Sequence, residues 1–499
     1  MTVSGSAQPI PGRIGLQRAD LRFVIIGAGM AGVLAAIKLR AAGFTDVSVY
    51  EKAERLGGTW RENTYPGIAC DVPAHLYTYS FAPNPEWSHA FAPGPEILAY
   101  FEGVARRYGV EELIRYGREV RRLEHDGSRW RIMTSTGERD EADVVIAATG
   151  VLHHPRYPDI DGLNEFGGGI FHSARWDHGV PLEGTRVGVV GTGSSAVQIT
   201  GAITEVVREL HLFQRTPQWI LPVDNPPVDE ADRARYRSDP AALTRLRAQL
   251  NREFIQSFAN AVVDADSQAL KTLQRVAHAN LEDSVADPGL RDQLRPDYRA
   301  GCKRLIISGN FYRAIQRPNS HLVTEGIDRV EADGVRTVDG TLHRLDMLVL
   351  ATGFRVDRFL RPMEVVGRSG VRLDDVWAQR PFAYLSVSVP DFPNLFMLNG
   401  PNGPVGNFSL IDVAEAQMDY LIQLFELLAD GRCRQISAGR EATARFEADR
   451  IEAAKKTVWV TGCRSWYLDD RGVPVAWPWT FTRFRDVMTR PVLDDYELR

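Results

Sequence analysis

Cysteine is scarce. The 499 residues hold four, Cys70, Cys302, Cys433 and Cys463, widely spaced and with no CxxC pair. That excludes a disulfide-stapled small scaffold and a CxxC-type metal site, and leaves a reduced, cytoplasmic protein as the simplest expectation. Long hydrophobic runs are missing as well. No window approaches a membrane span, and the first twenty residues contain no apolar run fit for a signal peptide, so they are expected to form a loosely held arm. Neither sign of charge dominates, and a net charge of −5 gives no electrostatic reason to expect nucleic acid as a partner. The remainder, 25% charged and 44% hydrophobic, is ordinary for a globular chain long enough for two or three domains.

Two stretches carry phosphate-binding chemistry. Phe23-Val24-Ile25-Ile26 reads as a buried parallel strand running into Gly27-Ala28-Gly29-Met30-Ala31-Gly32. A helical segment follows, then a strand Val47 to Tyr50 that ends in Glu51. In such a unit the first glycine makes the tight turn, the second admits a pyrophosphate and the third lets helix pack on strand, while the acid accepts ribose hydroxyls. Asp143 to Ile146 reads as a later strand of the unit, closing in Ala148-Thr149-Gly150. The second stretch, Gly191-Thr192-Gly193-Ser194-Ser195-Ala196, follows Gly188-Val189-Val190. Its second strand ends in Gln214-Arg215-Thr216 rather than an acid, which suits a 2′-phosphate instead of a free 2′-hydroxyl. The first module therefore looks built for FAD and the second for NADPH. Asp346 to Leu350 with Ala351-Thr352-Gly353 repeats the closing stretch of module one, as duplicated nucleotide folds would.

The expected fold class is α/β, with two nested Rossmann-like dinucleotide-binding domains and a helical insertion. The expected boundaries are 1–150 for the first part of the FAD domain and 151–228 for the first part of the NADPH domain with a hinge. A helical insertion spans 229–297, where Leu243, Leu246, Leu250, Phe254 and Phe258 recur at helical spacing as core positions. The NADPH domain resumes over 298–360, and the FAD domain with a C-terminal cap takes 361–499. Phe166 to Asp177 (FGGGIFHSARWD) lies on the connection between the modules, where it could sense their orientation. Gly57 to Asp71 is an irregular loop dense in Gly, Pro and aromatics: by position it reads equally as a rigid surface loop or as one whose Gly58-Thr59-Trp60 packs along the first nucleotide while Asp71 points inward. Pro393 to Pro401 reads as a strand returning to the FAD sheet, and a helix is expected from about Ile411 to Leu428.

These residues resemble the flavin-dependent Baeyer–Villiger monooxygenases over nearly the whole chain. The family pattern FxGxxxHxxxW followed by Pro or Asp is met by Phe166, Gly168, His172, Trp176 and Asp177. A second, [AG]GxWxxxx[FY]P[GM]xxxD, is met by Gly57, Gly58, Trp60, Tyr65, Pro66, Gly67 and Asp71. The resemblance implies NADPH- and O2-dependent conversion of a ketone to an ester or lactone through a flavin C4a-peroxide. An N- or S-oxygenating flavin-containing monooxygenase is the nearest alternative. A disulfide reductase needs a redox cysteine pair, which the spacing does not offer. By the resemblance Arg304 is the active-site arginine and Asp71 its carboxylate partner. Lys303 and Arg215 contact the 2′-phosphate, and Trp466 lies near NADP. Lys52, Tyr77 and Val120 join the cofactor contacts, with Thr149, Gly150, Thr192 and Thr216. The 166–177 segment is expected to act as the hinge; His172, an isolated loop histidine, reads as structural more often than as a proton carrier, and direct proton transfer stays open. Phe311-Tyr312 departs from the paired tyrosines of many members, and the loop Asn402 to Leu410 has no template.

Overall fold

Two five-stranded parallel sheets organise the chain, which the computed structural model describes over residues 18–406 and 408–499. The expected N-terminal arm lies, through residue 17, outside the described residues. In the first sheet the strand order is Leu395–Met397, Val144–Ala147, Phe23–Ile26, Val47–Tyr50, Ile114–Arg115. Every residue of the three central strands is buried, because helices or a second layer cover both faces and leave no place for polar alternation. The registers Phe23↔Val47 and Phe23↔Val144 bring Ile26, Tyr50 and Ala147 level at the carboxyl ends, where the glycine turn begins.

The second sheet has the same plan in the order Gly169–His172, Met347–Leu350, Arg186–Val190, Glu209–Phe213, Ser320–Val323. In each sheet the fingerprint strand lies between its successor and the strand that closes in Ala-Thr-Gly. The outer place taken by Leu395–Met397 in one is taken by Gly169–His172 in the other. The connecting segment is thus no free linker through its middle: residues 169–172 are an edge strand paired with Met347–Leu350.

Between the strands of the second sheet the chain is helical over Glu230–Ser238, Pro240–Phe254, Gln268–Ser284 and Pro288–Gln293. Arg247 and Asn251 bond the two oxygens of Asp412 at 2.5 and 2.7 Å, pinning this insertion to the long helix Leu410–Ala429 behind the first sheet. Phe254 and Phe258 meet at 5.3 Å with their rings tilted by 33°, as packing residues. Among the described residues no helix is long and apolar enough to cross a membrane.

Distance along the chain concealed one feature. Cys302 and Cys463, 161 residues apart, are joined by a disulfide, their Cα atoms 6.1 Å apart. The expectation of four reduced, unpaired thiols is corrected at this pair. Cys70 and Cys433 are free and buried.

Candidate active site

Both glycine turns sit where their strands end. Gly27 has φ +102°, and a Cβ there would lie 2.6 Å from the Ala148 carbonyl oxygen; Gly191 has φ +119°, and a Cβ there would lie 2.4 Å from that of Ala351. A Cβ on Gly32 would fall 1.8 Å from the Gly27 oxygen, so helix and turn meet there only through glycine. The helices that follow, Met30–Ala41 and Ser194–Ile203, start at Gly29 and Gly193, neither with a side chain capping the first turn. Their free N–H groups and positive dipole ends face outward, the arrangement that receives a phosphate.

From the first turn a cavity of about 640 Å³ runs across to the second module. Gly27, Gly29, Met30, Ala31, Glu51, Lys52, Gly58, Thr59, Trp60, Tyr77, Val120, Thr149 and Gly150 line one part. Gly193, Ser194 and Ser195 line another, and Asp71, Arg304 and Trp466 complete the wall. Gly32, Gly191, Thr192, Arg215, Thr216 and Lys303 are not among the lining residues. Glu51 is less open than its position suggested. Its carboxylate accepts from the Ala28 and Ala53 amides at 2.8 and 3.0 Å and from Arg61 at 3.2 Å. Three of its roughly four lone-pair sites are therefore spent holding the turn.

Arg304 is the pivot of the wall. Its Nε and Nη2 donate to one oxygen of Asp71 at 3.0 and 2.5 Å, and Nη1 donates to the Gly406 carbonyl. Burial, the largest single cause, would lower the guanidinium pKa, but the Asp71 charge and hydrogen bonds together with Tyr467 and Cys70 outweigh it, and the net shift is upward. The 27% of the side chain still exposed faces the cavity it lines.

Asp71 is held by a clamp between modules. The loop before it packs on the Ser194–Ile203 helix. A Cβ on Gly67 (φ +82°) would lie 2.7 Å from the Gln198 carbonyl, so only glycine allows that approach. Gln198 donates to the Ala69 carbonyl at 2.9 Å and accepts from the Tyr65 hydroxyl at 2.9 Å, while Ser195 donates to Tyr65 at 3.2 Å. Burial pushes the Tyr65 phenol up to about 12, so it stays a neutral donor. Trp60 donates to the Tyr77 hydroxyl at 3.2 Å and fixes the adjacent wall.

At the edge of the second sheet Thr192 donates to the Thr216 carbonyl at 2.7 Å, tying turn to strand end. Arg215 is exposed there, and the Lys303 ammonium lies 4.6 Å from the Tyr298 ring centre. Burial lowers the Lys303 pKa; the Asp297 charge, beyond ion-pair distance, opposes this in part, and the Arg215 charge adds to it. Neither cation has a carboxylate partner among the described residues.

The 166–177 segment stands apart from the cavity. Phe166 and Trp176 are buried in two separate cores, and Phe171 meets Trp176 edge-on at 5.0 Å. Gly168 is required, since a Cβ would lie 2.3 Å from the Asp346 oxygen. Asp177 closes a turn by accepting from the Gly179 amide at 2.8 Å. His172 is fully buried, with Nε2 3.0 Å from the Gly353 carbonyl and Nδ1 accepting from the Ala174 amide at 3.1 Å. Both nitrogens are occupied and burial lowers its pKa, so it is a neutral strut with no free site for a proton.

Chains of similar sequence and architecture carry monooxygenase names. Residues 24–274 match the family model described as pyridine nucleotide-disulphide oxidoreductase. A protein of Mycobacterium tuberculosis named an uncharacterized monooxygenase is 46% identical, covering 95% of both chains. A Baeyer–Villiger monooxygenase of Streptomyces coelicolor is 41% identical over 96% of this chain and 92% of its own. The chain belongs to the Baeyer–Villiger monooxygenase family. The crystal structure of cyclohexanone monooxygenase from Rhodococcus sp. Phi1 bound to NADP+ superposes on it with TM-score 0.86 at 30% identity, covering 96% of this chain and 99% of that one.

Against this family background the disulfide does not revive the reductase reading. Neither Cys302 nor Cys463 lines the cavity, and the bond sits in a small core behind Arg304. Cys70 does line it, but burial raises its thiol pKa well above the usual range, which keeps it unreactive. Sequence reasoning missed Gly406, which gives Arg304 a backbone acceptor, and Tyr467, whose buried phenol pKa is raised by burial and pulled back by Arg304. No local signal marks either: one contributes only a carbonyl, and the other lies in an irregular segment.

Proposed function

We propose that this monooxygenase uses FAD, NADPH and O2 to convert a ketone to an ester or lactone. The observation that carries the reading is one cavity joining the first glycine turn to a guanidinium held by Asp71. The cradle fits a dinucleotide. The Met30–Ala41 helix start has no side-chain cap, and the glycine pair Gly29 and Gly58 leaves backbone alone facing the space. The second turn fits another, since a Cβ on Gly193 would meet nothing within 4 Å. When bound, FAD would supply the redox chemistry, taking hydride from the nicotinamide and activating O2.

The chain's own part is electrostatic. Arg304 stays cationic at any working pH, so it can hold negative charge on oxygen and on the carbonyl oxygen as it becomes tetrahedral. Arg304 would keep the activated oxygen anionic, the form that is nucleophilic towards a carbonyl carbon and not electrophilic towards nitrogen or sulfur. A fixed cation beside it therefore favours the ketone. Asp71 orients the guanidinium and offsets the burial that would otherwise disfavour its charge. Arg215 and Lys303, two cations without carboxylate partners, suit the 2′-phosphate of NADPH, and Trp466 covers the nicotinamide side. The boundaries and hinge role read from the sequence are carried forward with one restriction: residues 169–172 move with the second module, so bending belongs outside them.

The test is product analysis. Purified FAD-loaded enzyme given NADPH, O2, a ketone panel and a thioether is expected to give esters or lactones in preference to sulfoxide. Sulfoxide as the dominant product, with every ketone untouched, would assign the chain to the N- or S-oxygenating class instead.

A further inference from the structure

The two sides of the cavity wall that carry Arg304 and Trp466 come from segments 162 residues apart, and the disulfide joins them at the site. Cys302 is two residues before Arg304, and Cys463 is three before Trp466. The rest of the attachment is light. Among the described residues, no N–H of residues 462–466 donates to a backbone carbonyl, and these residues belong to no helix or strand. Beyond the sulfur bond, the segment is held by Ser465, whose carbonyl accepts from the Leu468 amide at 3.1 Å and whose hydroxyl accepts from the Tyr467 amide at 3.3 Å. It is also held by a small core in which Trp466 stacks on Tyr467 at 4.1 Å and Tyr467 on Trp459 at 4.9 Å. Tyr467 and Trp466 also close over Gly406, whose carbonyl receives Arg304.

We propose that Cys302 and Cys463 are positioning residues: their bond pins the Trp466 segment over the cavity, and thiol–disulfide exchange releases and restores it. This rests on the reading of Arg304 and Trp466 given above. The exchange partner is a dithiol. One of its thiolates attacks the Cys463 sulfur, which is 7% exposed where Cys302 is fully buried, and forms a mixed disulfide. Cys302 leaves as thiolate and takes a proton. The partner's second thiol then attacks its own sulfur in the mixed disulfide, closing a disulfide in the partner and releasing Cys463 as a thiol. Two electrons pass from partner to protein, and an oxidised dithiol runs the same steps backward. Once the bond is open, docking of the segment no longer benefits from the high local concentration the cross-link imposes. The nucleotide beneath it is then held less tightly, and reducing equivalents escape to O2 as hydrogen peroxide.

The test compares FAD-loaded enzyme incubated with oxidised dithiothreitol against the same enzyme treated with dithiothreitol and desalted. Thiol titration in denaturant is expected to find two thiols in the first, Cys70 and Cys433, and four in the second. The reduced form should show a KM for NADPH raised roughly tenfold. It should also release more hydrogen peroxide per NADPH, while the rate of flavin reduction at saturating NADPH is unchanged. Cys463→Ser and Cys302→Ser should each match the reduced form and ignore dithiothreitol. Four thiols after oxidation, or identical KM and peroxide yield in both forms, overturns the proposal. Neither readout needs a ketone, so a failure of the ketone reading leaves this test intact.

Discussion

Arg215 shows how much a single position can carry. It follows the second strand of its module, where an acid would select a free ribose, and it stands near Lys303 with no carboxylate partner among the described residues. Losing a charged hydrogen bond of this kind costs roughly 1.5–3 kcal/mol, so Arg215→Ala is expected to raise the KM for NADPH about 10- to 100-fold. The KM for NADH should barely move, and equal losses with both nucleotides would remove Arg215 from the phosphate site. The place of Arg215 just past the strand end, though not its phosphate contact, was legible in the sequence because its offset from the glycine turn fixes where it lands. Gly406 was not, because a carbonyl acceptor has no side-chain signature. The cysteine pair was not, because 161 residues of intervening chain carry no register. His172 was legible only as a histidine: its role as a neutral strut follows from the Gly353 and Ala174 contacts that folding supplies.

Among the elements, the strand Gly169–His172 departs most from its sequence. Glycine-rich and short, it reads as a loop, and it becomes a strand because Met347–Leu350 offers a free parallel edge beside it. Phe23–Ile26 and Met347–Leu350, by contrast, announce themselves through unbroken apolar runs. The edge strand depends on close approach at Gly168. A methyl group there would lie 2.3 Å from the Asp346 oxygen, against backbone that cannot step aside without breaking the pairing. Gly168→Ala is therefore expected to destabilise the protein by about 1–3 kcal/mol, read as a lowered Tm. An unchanged Tm would mean that the strand is not fixed at this point. The same reasoning explains why a family pattern spells glycine, histidine and tryptophan here although none of them lines the cavity: they build the sheet that carries the second turn.

At the scale of the molecule, stability and catalysis draw on different groups. Burial is the main cause that pulls His75, His153 and His211 down to about 4. Neighbouring cations add to it at His153, and His321 and His343 add to it at His211. Their folded values lie below the unfolded value near 6.5, so the unfolded chain binds more protons between about pH 6.5 and 4. Stability present above pH 6.5 is lost as pH falls through that window, each group contributing up to about 1.4 kcal/mol per pH unit. A Tm that starts to fall below pH 6.5, ahead of carboxylate titration, is the expected outcome; a flat Tm down to pH 4.5 would contradict it. In the proposed reaction, catalysis depends instead on both modules closing one cavity around a fixed cation. The two glycine turns and their closing strands were readable from pattern, whereas the clamp of Tyr65, Ser195 and Gln198 that brings them together was not, because it exists only between modules. The most direct measurement separates the two half-reactions in FAD-loaded Arg304→Ala. NADPH should still reduce the flavin at a rate close to that of the unaltered enzyme. Ester formation should fall by about 10²–10³-fold, the loss expected for one oxyanion donor. Ester yield retained at the unaltered level alongside normal reduction would contradict the account.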